Sequence, residues 1–136
     1  MSKFSWVDVA FLVVIFLLLF GDAPPSPVVA PPFAADKLCV LVVEESADRA
    51  SYTAAQLDVL LGTAPGTVRD YVAKAGGNFR LLDDDSDISL APQWVKDAAA
   101  RQRTSLPWIE VSDGKRGFEG PVADAASVLA KMPGTK

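Results

Sequence analysis

Histidine is absent from the 136 residues, and cysteine occurs once, as Cys39. Without an imidazole there is no Ser-His-Asp or Cys-His catalytic pair, no HExxH metal site and no histidine pH switch. A lone thiol allows neither an intramolecular disulfide nor a four-cysteine zinc site, and it leaves the redox compartment undetermined. Basic residues are also sparse: 13 Lys and Arg against 17 Asp and Glu leave a formal charge of −4. No dense Lys/Arg face is available to neutralise phosphates, which excludes nucleic acid as the main partner. The side chains that most often carry catalysis are missing, so the chain is read as a non-enzyme without metal or cofactor.

What is present divides into three parts by composition. Residues 1–21 hold the apolar stretch "FSWVDVAFLVVIFLLLF", Phe4 to Phe20, interrupted by one charge, Asp8. As a helix its seventeen residues rise roughly 26 Å, close to the thickness of a hydrocarbon core. Trp6 suits the headgroup layer, and Phe11, Leu12, Val13, Val14, Ile15, Phe16, Leu17, Leu18, Leu19 and Phe20 suit the acyl chains. A membrane anchor is expected, with a cleaved signal peptide as the competing reading. Lys3 precedes the run and no basic residue follows it until Lys37. The positive-inside rule then leaves the N-terminus cytoplasmic and the rest of this single-pass chain extracytoplasmic.

Residues 22–36 follow with Pro24, Pro25, Pro27, Pro31 and Pro32. Such a segment favours polyproline II and is expected to act as a semi-rigid spacer reaching up to roughly 50 Å. The body, residues 37–136, is long enough for one compact domain.

Within the body, "LCVLVV" (Leu38 to Val43) is an unbroken apolar run, the pattern of a strand buried on both faces. Thr53 and Gln56 have capping-box spacing ahead of a helix carrying Leu57, Leu60 and Leu61, and a second helical piece runs from Val68 to the Gly76-Gly77 stop. "NFRLLD" is a short strand, and Pro92 suits the first turn of a helix with Trp94, Val95 and Ala98. "WIEVS" and "GFEGPV" form a hairpin around Asp113-Gly114, and a last helix carries Ala125, Val128 and Leu129.

This element order, with "TSLPW" before the third strand and "SDGKRGFEG" as the final hairpin, resembles a thioredoxin-like domain over about residues 37–132. The resemblance implies an α/β fold, a three-layer sandwich whose four-stranded mixed sheet is flanked by helices, here preceded by one transmembrane helix. It implies that Pro107 is a cis-proline at the mouth of a strand and that the Leu106 backbone is free to pair with an extended peptide. Trp108 shares a face with Glu110 and Ser112 by strand alternation and is expected on the less buried side, bordering that groove. Asp48 and Arg49 belong to the loop where redox members of the family carry Cys-x-x-Cys. That loop here reads "ESADRASYT", without a thiol, so dithiol exchange is expected to be lost. Cys39 lies upstream in the first strand and is read as a small core hydrophobe.

Other polar clusters have ordinary explanations. "DDDSD", Asp83 to Asp87, lacks the glycine and glutamate of an EF-hand loop and is read as a solvated connection. Arg101, Arg103, Lys115 and Arg116 are read as solvated helix-end and turn charges. The expected function is a non-catalytic, membrane-tethered, thioredoxin-like protein-interaction module with peptide-binding residues Asp48, Arg49, Leu106, Pro107 and Trp108. Its expected partners are the membrane and a protein segment. Two alternatives stay open: a small structural component of a larger membrane assembly, such as a cell-envelope complex or a membrane-containing virion, and a divergent thiol oxidoreductase relying on Cys39.

Overall fold

The computed structural model describes residues 30–133. The expected anchor residues, Trp6 and Phe11 to Phe20, lie outside them, and no helix among the described residues is long and apolar enough to cross a membrane. The apolar run becomes β1, Cys39–Glu44. A 3-10 turn, Ser46–Ser51, leads into α1, Ala54–Leu61, and α2, Val68–Lys74. Then come β2, Asn78–Asp83, α3, Gln93–Ala99, β3, Trp108–Ser112, β4, Gly117–Pro121, and α4, Ala125–Ala130.

Local chemistry sets these boundaries. The Thr53 hydroxyl accepts from the Gln56 amide at 3.0 Å while the Gln56 side chain accepts from the Thr53 amide at 2.9 Å, a reciprocal cap that starts α1. At the hairpin tip, one Asp113 carboxylate oxygen accepts from the Lys115 and Arg116 amides at 2.8 and 2.7 Å. Gly114 follows Asp113 with φ +89°, and a Cβ there would lie 2.0 Å from the Ala35 carbonyl oxygen. Both the left-handed backbone and the close approach require glycine.

The four strands form one mixed sheet in the order β2-β1-β3-β4. β1 runs parallel to β2 and antiparallel to β3, with Val43 opposite Trp108, Leu41 opposite Glu110 and Cys39 opposite Ser112. Helices cover both faces. Val40, Val42, Ile109 and Val111 pack under α1, α2 and α4 through Val59, Leu60, Val68, Val72 and Val128. Cys39, Leu41, Val43 and Leu82 pack under Val95 and Ala98 of α3.

The second face has an additional cover. Phe33, from the proline-rich segment, is buried, stacks on Trp94 at 5.8 Å between ring centroids, and accepts a 2.7 Å hydrogen bond at its carbonyl from the Ser112 hydroxyl. The last residues of that segment are therefore packed on the domain.

The same packing overturns one expectation from strand alternation. Trp108, Glu110 and Ser112 do not lie on a less buried face: they are 7%, 0% and 0% exposed. Alternation distinguishes two faces but not a solvated face from a covered one, and here α3 and Phe33 cover the face that polar residues suggested was open.

If the Phe33 contact is integral, Phe33→Ala should lower unfolding stability by about 3 kcal/mol. Urea denaturation of the domain checks this; a loss of less than about 1 kcal/mol would show that the segment before Lys37 contributes little to the fold.

Candidate functional site

Antiparallel pairing of β1 with β3 brings the 3-10 turn that follows Glu44 and the Leu106-Pro107 entry to β3 to the same end of the sheet. The Leu106–Pro107 peptide bond is cis. The Pro107 carbonyl accepts from the Val122 amide at 2.9 Å, so this residue faces the β4 side. β1 ends at Glu44, one residue beyond Val43, the partner of Trp108, and its last carbonyl accepts from the Asp84 amide at 2.7 Å. Among the described residues neither the amide nor the carbonyl of Leu106 has a hydrogen-bond partner. Beside it an open cavity of about 610 Å³ is lined by Asp84 and by the stretch from Ala99 to Leu106.

The five expected peptide-binding residues fare differently. Asp48 is exposed on the 3-10 turn and Leu106 is half-buried at the cavity, whereas Pro107 and Trp108 are buried. Trp108 is not among the residues that line the cavity. Its indole Nε1 has no hydrogen-bond partner among the described residues. Arg49 is committed to an internal partner, with Nε 2.7 Å and Nη2 2.6 Å from Glu44 Oε1. Glu44 is 1% exposed and its second oxygen is unpartnered among the described residues, so Arg49 is what compensates a carboxylate placed at the rim of the core.

Arg101 and Arg103, read from sequence as solvated, are both engaged. Arg103 donates to Asp84 at 2.9 Å and to the Ala99 and Arg101 carbonyls. Arg101 forks Glu119 of β4 at 2.7 and 3.1 Å, and its Nε stands 3.6 Å from Glu110. Glu110 is opposite Glu119 in the β3–β4 register and is fully buried. Burial, then the neighbouring Glu119 carboxylate, pushes the Glu110 carboxyl up to about 8, while the hydrogen bond from Arg101 holds Glu119 below the usual carboxylate range. Sequence reasoning missed both Glu44 and Glu110. The available signal was a glutamate inside or ending an otherwise apolar strand, in "LCVLVVE" and "WIEVS".

The acidic loop is tied to its neighbours. Asp83 accepts from the Ser46 amide at 3.2 Å, and its carboxyl is lowered to about 2, first by the Ser46 side chain and then by that of Asp85; Asp87 accepts from the Ser89 amide at 2.9 Å. Among the described residues no three His, Cys, Asp or Glu side chains are grouped to hold a metal ion. The Cys39 thiol is buried in β1, and burial raises its pKa. That is the opposite of what a thiolate nucleophile needs.

Comparison with protein-family models, with curated proteins and with solved structures finds no match.

Two measurements follow from these carboxylates. Glu110 is raised in the folded state from 4.5 to about 8, so the native protein holds a proton that the unfolded chain releases. Its contribution is complete below pH 4.5 and lost as pH rises to about 8. Unfolding stability should fall across that window with a slope of up to about 1.4 kcal/mol per pH unit, and Glu110→Gln should flatten it. Urea titrations at several pH values read this directly, and a wild-type stability that rises between pH 5 and 8 contradicts it. Separately, Arg49→Ala should cost about 2 kcal/mol, with part of the loss recovered when Glu44→Gln is added. A double-mutant cycle with additive losses would show that the pair is not coupled.

Proposed function

We propose that the protein is a membrane-tethered, thioredoxin-like interaction module without dithiol chemistry, which receives an extended protein segment along Leu106. The observation that carries this reading is the Leu106 backbone, without a hydrogen-bond partner among the described residues, beside the 610 Å³ cavity that Leu106 helps to line. An incoming strand supplies the missing donor and acceptor, which is recognition by strand addition. Support for the thioredoxin-like assignment comes from the element order, the mixed four-stranded sheet and the proline entering β3. Support for the tether is the apolar run from Phe4 to Phe20, with the body on the extracytoplasmic side. The groove residues are revised to Ser105, Leu106 and the exposed Asp48, with Pro107 and Trp108 buried behind Leu106 in sequence.

The test places a photo-crosslinking residue at Ser105, and as a control at Ala126, in full-length protein in its native membrane. The expected result is one reproducible protein partner captured from Ser105 and absent from Ala126, with capture abolished by Leu106→Pro, which removes the amide without truncating the loop. Persistence of the same capture in folded Leu106→Pro, or equal capture from both positions, overturns strand addition. Capture of further copies of the chain from both positions would instead establish a structural component of a repeating assembly.

A further inference from the structure

The two arginines that line the cavity are not equivalent. Arg103 is balanced by Asp84 alone, whereas Arg101 reaches across to β4 and β3 and meets two carboxyl groups, Glu119 and Glu110. The groups facing Glu110 can be named element by element. β4 presents Glu119; the chain after α3 presents Arg101 and, further off, Arg103; β1 presents apolar Leu41, with the Cys39 thiol one pair along. Arg103 is occupied by Asp84 and two carbonyls. A single guanidinium therefore serves two carboxyl groups, and its fork is already filled by Glu119. Neither Glu110 oxygen accepts a hydrogen bond among the described residues, and the Glu119 carboxylate that lies within its hydrogen-bond reach is itself an acceptor, so a bond between the two needs a proton on one of them. The arrangement is electrically balanced when Glu110 is neutral and its hydroxyl faces Glu119.

We propose that Glu110, Glu119 and Arg101 form a proton-controlled latch that holds the 100–106 segment against the β3–β4 hairpin and thereby regulates access to the groove beside Leu106. In the closed state the Glu110 hydroxyl donates to Glu119 while Arg101 forks the same carboxylate. Loss of the proton leaves two adjacent carboxylates, one of them without solvent, and one guanidinium. Relief comes from admitting water over Glu110, and the cover that must lift is the segment carrying Arg101. The consequence for ligand access rests on the strand-addition reading above; the latch itself does not. It requires no oxidant, metal or cofactor, because the only transferred species is a proton released to water.

Amide hydrogen exchange of the full chain, corrected for the intrinsic pH dependence of exchange, tests it. Burial raises Glu110 to about 8. The opening equilibrium of residues 100–106 should therefore increase about tenfold between pH 7 and pH 9, while the amides of β1 change little. Glu110→Gln should remain closed across the range. Glu119→Gln should move the midpoint to lower pH, since the neighbouring negative charge that opposes ionisation is gone. No pH response in residues 100–106 of the wild type, or the same response in Glu110→Gln, overturns the proposal. Should Glu110→Gln fail to fold, the Glu119→Gln midpoint decides: an unmoved midpoint overturns the latch, and a lowered one supports it. A normal latch response combined with failure of Ser105 capture would reject the groove and leave the latch standing.

Discussion

Burial of β1 on both faces is the constraint from which the rest of the structure follows. None of its residues, Cys39 to Glu44, exceeds 1% exposure. A strand of that kind satisfies its backbone only between two others, here β2 and β3, and satisfies its side chains only between two covering layers. α1, α2 and α4 form one layer; α3 forms the other and is too short to complete it. Phe33 fills the remaining space, which draws the end of the proline-rich segment into the domain.

The same constraint places charge where it is costly. β3 lies beside β1, so its central residue, Glu110, is as enclosed as Leu41 opposite it. Isolated ionised carboxylates are not tolerated at such positions, and the two buried glutamates meet this in different ways. Glu44, at the strand end, reaches Arg49 of the next turn. Glu110, in mid-strand, holds its proton and shares Arg101 with Glu119. A sheet built for packing alone has no need of either residue.

Much of the fold was legible from single residues. The Thr53/Gln56 cap, the Asp113-Gly114 turn, the Gly76 stop and the proline before β3 each act through contacts a few positions apart, so their effects are written locally. The candidate site was legible in part. Leu106 lines the cavity and Asp48 is exposed, but Trp108 is not solvent-facing, and Glu110 was read only as part of an open face because a glutamate among β-branched residues reads as the polar half of an alternating strand.

Sequence by itself determined the element order, the absence of histidine and of a thiol pair, and the central strand β1, because these depend on residue identity and on hydrogen bonds or periodicity within a few positions. Only the tertiary structure decided which faces are covered, since that depends on partners as remote as Phe33 and Ser112, 79 positions apart. With coverage came the rest: the burial of Trp108, the retained proton on Glu110 and the lack of a backbone partner for Leu106 among the described residues all follow from where distant segments pack, a matter that no local pattern encodes.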